Sequence, residues 1–369
     1  MIKKMMLVFL LVLAVLGVVI AVFLNTPQFG RPPSGQRLER ILKSPNFRDG
    51  VFQNREQIVN HLEDGFLVSF YKFIFEKKEE LRPAAPVPHV KTNLKELPKD
   101  RDFLVWLGHS SFILQLSGHR FIVDPVLNGY VSPVSFLMKA FDGSNPFAAE
   151  DLPDDLQTLL LSHDHWDHLE YATTVALKDR IRQVVTGLGN GEYYEMWGYS
   201  PAQIRELDYG EDLLLDDKVR VIFTPARHFS GRFLKENPTE PGSFVLITDR
   251  FRFFYSGDSG YGEHFAQIGE KYGPFDLAVM EDGQYDMQWH NVHMLPQEVL
   301  NAAEDLGAKA VLPVHNSKFV LANHAWKDPL LQLEKLSEGY AGRIVTPLIG
   351  EVIFLDDLPK FNPWWHDLD

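Results

Sequence analysis

Four residues suited to a strand, Thr158-Leu159-Leu160-Leu161, run directly into Ser162-His163-Asp164-His165-Trp166-Asp167-His168. A short apolar run bounded by polar residues fits a strand covered on both faces. The polar group then falls at the strand's end, in a turn where several side chains can converge on one point. Its three histidines and second aspartate are spaced His-x-His-x-Asp-His. The whole chain holds 14 histidines in 369 residues, so a chance solvated cluster of this density is not expected. Imidazoles suit zinc or iron, and carboxylates add hard oxygen donors while lowering the charge of the ligand set. A fold that uses this run must bring a strand end to an edge where further donors can reach it.

Cysteine is absent. That excludes disulfides, thiolate metal sites and a cysteine nucleophile, so any metal must be held by His, Asp and Glu. Three further donors each follow a strand-like run. His228 comes after Val219–Phe223 and Thr224-Pro225-Ala226-Arg227. Asp258 lies in Tyr255-Ser256-Gly257-Asp258-Ser259-Gly260, where Gly257 permits a tight turn. His315 ends Ala310-Val311-Leu312-Pro313-Val314.

Short β-rich runs at 103–107, 111–116 and 121–123, split by Gly108 and Gly118, read as a meander. Further strands are expected at 158–161, 184–186, 219–223, 243–247, 251–255, 277–280 and 310–314. Helices are expected near 170–180, 297–306 and 328–337. Strands with interleaved helices indicate an α/β layered domain. No internal repeat is visible.

Ahead of this region, Met5 to Leu24 are uncharged and almost wholly apolar, preceded by Lys3 and Lys4. About 20 such residues span a hydrocarbon core of ~30 Å as a helix. A cleavable signal has a shorter apolar region and a small-residue cleavage site, and Phe23-Leu24-Asn25-Thr26-Pro27 offers none. The expected organisation is a transmembrane anchor over 1–25, a linker and helical extension over 26–88, and a catalytic domain over 89–369. Residues 26–35 read as the linker, and 55–82 as a helix packed on the domain. Ala84 to Pro88 form a second break. Lys3 and Lys4 favour a cytoplasmic N-terminus, and Arg31, Arg37, Arg40 and Lys43 dilute that bias. The expected location is a single-pass membrane protein with its catalytic domain outside the cytoplasm. Acidic residues outnumber basic ones, 50 to 36, for a net charge of −14, which argues against nucleic acid as a partner.

The donor spacing resembles the metallo-β-lactamase superfamily over roughly residues 100–350. Trp106-Leu107-Gly108-His109-Ser110-Ser111, Thr224-Pro225-Ala226-Arg227-His228, Gly257-Asp258-Ser259-Gly260-Tyr261 and Gly273-Pro274-Phe275-Asp276-Leu277-Ala278 are similar to the N-acyl-phosphatidylethanolamine-hydrolysing phospholipase D branch. Pro313-Val314-His315 and Leu321-Ala322-Asn323 fit the same branch. Ascorbate-6-phosphate lactonases are more distant relatives. The resemblance implies a four-layer αββα sandwich with two divalent metal ions, zinc by default, at one edge of the sheets. It implies that His163, His165 and His228 hold one ion, that Asp167, His168 and His315 hold the other, and that Asp258 bridges them. Water between two such ions has its pKa lowered towards ~7 and becomes a nucleophile at neutral pH. Asp167 would also orient that nucleophile. His293 occupies the place where the branch carries a histidine near the substrate phosphate, so it is a candidate for substrate binding or proton donation.

Other residues are candidates for substrate contact or support. His109 follows a strand in Gly-His-Ser-Ser, and Asp124, before Pro125, could accept from a ligand imidazole. Glu281-Asp282-Gly283-Gln284-Tyr285 is more acidic than the lipid-cleaving branch is at this place, a departure that sets carboxylates against a phosphate unless they are paired. The leading expectation is a membrane-anchored hydrolase of phosphodiester bonds, with N-acyl phospholipids as the lipid candidate. A lactone or carboxylic ester hydrolase with the same metals is the alternative within enzymes. A non-catalytic anchored binding module is the alternative outside them. The partners expected are a small-molecule or lipid substrate and the membrane; oligomeric state is open.

Overall fold

The computed structural model describes residues 1–58, 80–232 and 236–368, and it gathers most of the expected strands into two seven-stranded sheets. A small hairpin, β1 (Phe47–Arg48) and β2 (Val51–Phe52), precedes them. The first sheet contains β3 (Phe103–Trp106), β4 (Phe112–Leu116), β5 (His119–Val123), β6 (Thr158–Leu161), β7 (Gln183–Gly187) and β8 (Ile204–Leu207). The C-terminal β16 (Val352–Phe354) pairs antiparallel with β3 and completes it. The second sheet contains β9 (Asp212–Leu215), β10 (Val219–Pro225), β11 (Gly242–Ile247), β12 (Arg252–Tyr255), β13 (Leu277–Glu281), β14 (Ala310–Val314) and β15 (Arg343–Ile344).

The two sheets share one plan. Four strands pair antiparallel, β16-β3-β4-β5 in one and β9-β10-β11-β12 in the other. Three more then continue each sheet in parallel, β6-β7-β8 and β13-β14-β15. The repetition escaped the sequence because it lies in pairing direction, which does not require similar residues. It has one consequence for function. The strands β3, β5, β6, β10, β12, β13 and β14 all have carboxyl ends at one edge, the place where open α/β sheets bind ligands.

Successive side chains on a strand point to opposite faces. Phe244, Leu246, Phe253, Tyr255, Leu277 and Val279 face the first sheet and join its core. Their neighbours Val245, Phe254, Ala278 and Met280 face a second cluster under α5 (His264–Tyr272), α6 (Pro296–Asp305) and α7 (Asp328–Leu336). Between the sheets, Phe112 lies edge-on to Tyr255 at 5.2 Å and 6.0 Å from Phe253. Each fully buried aromatic of this kind contributes roughly 2–3 kcal/mol. The crossovers β6-β7 and β7-β8 carry α3 (Tyr171–Leu177) and α4 (Gly191–Met196). The result is the expected sandwich of helices, sheet, sheet and helices.

The N-terminal region begins with α1 (Ile2–Leu24), which is long and apolar enough to cross a membrane and has none of its span buried in the fold. The segment after it is not slack. Phe29 packs edge-on to Trp166 at 5.3 Å. Trp197 Nε1 donates to Pro27 O at 2.8 Å, and Arg232 Nε donates to Gln28 O at 2.9 Å. On α2 (Gly35–Ile41), Arg37 reaches Glu192 at 2.6 Å, Glu206 at 2.7 Å and Glu195 at 3.1 Å. Residues read as a linker thus lie against the sandwich. The helix expected over 55–82 falls mostly within 59–79, outside the described residues.

Candidate metal centre

Every donor singled out from the sequence as a metal ligand arrives at the same sheet edge. β6 delivers His163, His165, Asp167 and His168, β10 delivers His228, β12 delivers Asp258 and β14 delivers His315. Close packing at this edge explains Gly257. Its φ is +58°, and a Cβ there would lie 2.7 Å from Gly242 O and 2.9 Å from Ser162 Cβ. His109, Asp124 and His315 also hold positive φ, at 53°, 39° and 66°. Such conformations cost about 1–3 kcal/mol each and persist where surrounding structure enforces them, commonly at functional sites.

Among the described residues, the donors anticipated from the sequence fall into two groups, and a third cluster, Asp258, Glu281, His293 and His315, shares members with both. In the first, His163 Nε2 lies 3.0 Å from His165 Nδ1, and His228 Nε2 lies 3.1 Å from the same atom. In the second, Asp167 Oδ2 is 3.7 Å from His168 Nε2 and 3.8 Å from His315 Nε2. Asp258 stands between them. Its Oδ2 is 3.1 Å from His168 Nε2, 3.7 Å from His163 Nε2 and 3.8 Å from His228 Nε2, while its Oδ1 is 3.2 Å from His315 Nδ1. His168 Nε2 and Asp258 Oδ1 are buried without an aligned hydrogen-bond partner among the described residues. Donor atoms gathered this closely, two of them left unpaired, fit a divalent cation. The all-nitrogen-and-oxygen set suits zinc and similar ions.

The opposite sides of these rings are held in place. Asp124, fully buried, accepts from His168 Nδ1 at 2.7 Å, Ser162 N at 2.9 Å, Ser162 Oγ at 2.5 Å and Tyr255 Oη at 2.5 Å. His228 Nδ1 lies 3.0 Å from Val292 O, a fixed acceptor, which leaves its Nε2 for the centre. Ser110 Oγ is 3.1 Å from His315 Nδ1, the ring nitrogen that Asp258 also approaches. Such contacts fix ring orientation and tautomer at metal sites. His109 Nε2 meets Asp167 Oδ2 at 2.9 Å, which places His109 within the second group. Asp164 turns the other way, accepting from Tyr193 Oη and Gly231 N, both at 2.7 Å.

Burial holds His163, His228 and His315 well below the usual imidazole range, and brings His165 to about 4. Their lone pairs are therefore free at neutral pH. His168 behaves oppositely: burial lowers it, but Asp258, Asp167 and Asp124 outweigh burial and raise it well above 6.5. Burial would raise Asp167, yet His168, His109 and His315 hold it well below the usual carboxylate range. Burial pushes Asp258 up to about 6 against the pull of His168. The carboxylates draw positive charge into this edge, which is the field a cation would meet.

A cleft of about 680 Å³ opens over the centre, with Phe229, Trp289, Val292 and Leu321 among its walls. His293 also lines it, and its Nδ1 lies 2.7 Å from Glu281 Oε2. Glu281 is fully buried, and its Oε1 accepts from Met294 N at 2.8 Å and Ser259 N at 3.2 Å. The carboxylate that set this sequence apart from the lipid-cleaving branch is thus paired. Asp282 and Tyr285, candidates for substrate contact or support, stand outside the donor groups. Glu281 ends β13 on the face of Val279, so the next residue, Asp282, takes the opposite face. Tyr285 Oη donates to Asp328 Oδ2 at 2.5 Å, and its ring stacks on His324.

Several supporting residues were not anticipated. Ser162, Ser110 and Tyr255 act through single hydroxyls. Asn54, in the N-terminal extension, brackets the His228 backbone, accepting from its N at 2.9 Å and donating to its O at 2.7 Å. The placement of Ser162 at the head of the donor run was the one available signal.

Comparison with known proteins gives a consistent picture. The family model described as a beta-lactamase superfamily domain matches residues 119–316. An uncharacterized protein of Mycobacterium tuberculosis is 33% identical over 329 residues, covering 88% of this chain and 88% of that protein. An N-acyl-phosphatidylethanolamine-hydrolyzing phospholipase D of Caenorhabditis elegans is 31% identical, covering 58% of this chain and 63% of its own. Among solved structures, a metallo hydrolase from the archaeon Ignicoccus hospitalis superposes with a TM-score of 0.54 at 20% identity, covering 68% of this chain and 97% of its own. That likeness is one of fold.

Proposed function

Because the chain belongs to the metallo-β-lactamase superfamily and is a metal-dependent hydrolase, we propose that it is a membrane-anchored dinuclear enzyme that cleaves phosphodiester bonds of lipids, N-acyl phospholipids among them. The observation that carries this reading is the apolar-walled cleft directly over the donor cluster, with His293 at its side. Clefts of ~300–1,000 Å³ suit a ligand the size of a lipid headgroup with part of its chains. The relative from C. elegans, named for this chemistry, supports the same substrate class.

One ion would be held by His163, His165, His228 and Asp258, the other by Asp167, His168, His315 and Asp258. Two such ions supply an acidified water and polarise the scissile group. The chain's own residues do the rest. Asp167, fixed by His109, orients the nucleophile's side of the site. Burial pushes Glu281 well above the usual carboxylate range and His293 below the usual imidazole one. The 2.7 Å contact of Nδ1 with Glu281 Oε2 fixes the ring and leaves Nε2 to face the cleft, where it would serve the leaving oxygen. Apolar walls exclude bulk water.

The protein is read as anchored by α1 with its catalytic domain outside the cytoplasm. Arg31 and Arg37 engage Glu192, and Arg40 engages Glu211, so these flanking cations are answered by the domain while Lys3 and Lys4 stay exposed.

A panel tests the chemistry. The purified full chain is offered an N-acyl-phosphatidylethanolamine, a soluble aryl phosphodiester, a lactone and an aryl ester. Phosphodiester turnover should exceed lactone and ester turnover; the reverse order replaces this reading with the carboxylic one, and no turnover at full metal content points to a binding module. His293→Gln should lower kcat by about 10²–10⁴ with metal content unchanged. Loss of metal in that variant would instead make His293 a ligand.

A further inference from the structure

We propose that the loop between Val131 and Ala140 is a second membrane contact, seated in the bilayer that α1 crosses. This rests on reading α1 as a membrane span.

The loop presents Phe136, Leu137 and Met138 to solvent, with 71%, 51% and 45% of their surface exposed. Outside α1, no other three consecutive large apolar residues are exposed among the described residues. Scattered exposed apolar side chains are ordinary, whereas a contiguous group marks an interaction site. The loop is built, not frayed. Val131 N donates to Met138 O at 3.2 Å, Leu137 N donates to Val134 O at 3.2 Å, and Ala140 N donates to Gly129 O at 2.9 Å. Ser132 Oγ donates to Val134 O at 2.5 Å. These bonds hold the backbone while the three side chains face outward.

Its neighbours identify the occupant. Gln28 Nε2 donates to Pro133 O at 2.9 Å. Leu24, the last residue of α1, is four residues before Gln28, so the helix end lies at most about 14 Å from the Gln28 Cα by chain length alone. The same junction is pinned by Trp197 and Arg232. The loop's root shares a buried cluster (Val126, Val131 and Phe319) with Ala140, Trp166 and Leu321. Cations flank the tip: Lys139 is exposed, and Arg82 donates to its carbonyl at 2.9 Å. An apolar tip with a cationic rim, beside the exit of an apolar helix, fits a lipid surface, with Phe, Leu and Met in the acyl boundary and Lys among headgroups. Trp166 lies between the donors His165 and Asp167, and Leu321 lines the cleft. A loop seated in the bilayer therefore holds the cleft mouth at the source of a lipid substrate.

The absence of native cysteine makes the test direct. Single substitutions Leu137→Cys, Val12→Cys and Asp154→Cys are made in the full chain, labelled with an environment-sensitive fluorophore and reconstituted in phosphatidylcholine–phosphatidylglycerol vesicles. Position 154 precedes β6 and so marks the sheet edge opposite the site. The label at 137 should lose about half its emission or more to nitroxide lipids labelled ~5–10 Å below the headgroups, the depth of an interfacial segment. The label at 12 should respond to deep quenchers, and that at 154 to none. Quenching at 12 without quenching at 137 overturns the loop contact and leaves the anchor standing. Failure at both positions overturns the anchor reading and the loop with it. A blue shift at 137 that depends on protein concentration and not on lipid quencher means a second copy covers the loop, which also overturns the proposal.

Discussion

Asp258→Ala should abolish stoichiometric metal binding and lower kcat/KM by about a thousandfold or more, since ion chemistry supplies several kcal/mol of transition-state stabilisation. Among the described residues, Asp258 is the one carboxylate with recorded contacts to histidines of both groups, within 3.8 Å of His163, His168, His228 and His315. On the proposed two-ion reading, removing it would leave each ion short of an anionic oxygen, and it leaves His168 without its strongest electrostatic partner. Metal analysis by mass spectrometry, alongside kinetics on the substrate that the panel selects, reads both effects. A variant that retains both ions and full turnover would show that Asp258 is not shared between them.

The second large effect is expected from a residue that touches neither substrate nor metal. Asp124→Ala removes the acceptor for His168 Nδ1, Ser162 N, Ser162 Oγ and Tyr255 Oη at once. Breaking a buried charged network by removing one member costs about 3–5 kcal/mol. The loss of ring orientation at His168 should weaken metal affinity about 10–100-fold. Thermal unfolding of metal-free protein measures the first, and competition with a chelator measures the second. Tm and metal affinity both close to those of the parent chain would mean that Asp124 is only a turn residue. Asp124→Asn, which keeps an acceptor oxygen, should fall between the two.

How much of this was legible in the sequence depended on which physical signal was local. The strands 158–161 and 310–314 match the structure residue for residue because they are continuous apolar runs between polar ends. β8 escaped notice because Ile204-Arg205-Glu206-Leu207 has only two apolar residues, and β15 because it is two residues long. Helix α5 has a Gly at 269, and its buried face is spread over His264, Phe265, Ile268 and Tyr272. The seven candidate ligands stood out because imidazoles and carboxylates are scarce directly after apolar strands. Ser110, Ser162 and Tyr255 did not, since hydroxyls are common and only distance in space selects these three. Glu281 and Asp282 were indistinguishable until the strand assigned them opposite faces. The stretch after α1 read as a linker because its attachment uses the carbonyls of Pro27 and Gln28, groups that every residue carries.

The aromatic packing between the sheets bears on the candidate metal centre. His163, His165, Asp167 and His168 hang from one sheet, and His228, Asp258 and His315 from the other. The gap between the two sets is therefore fixed by what fills the space below them, where Phe112 wedges against Phe253 and Tyr255. That wedge works as a caliper. It spaces the two sheets from which the donors hang, so any ion held between them would feel side chains that never approach it.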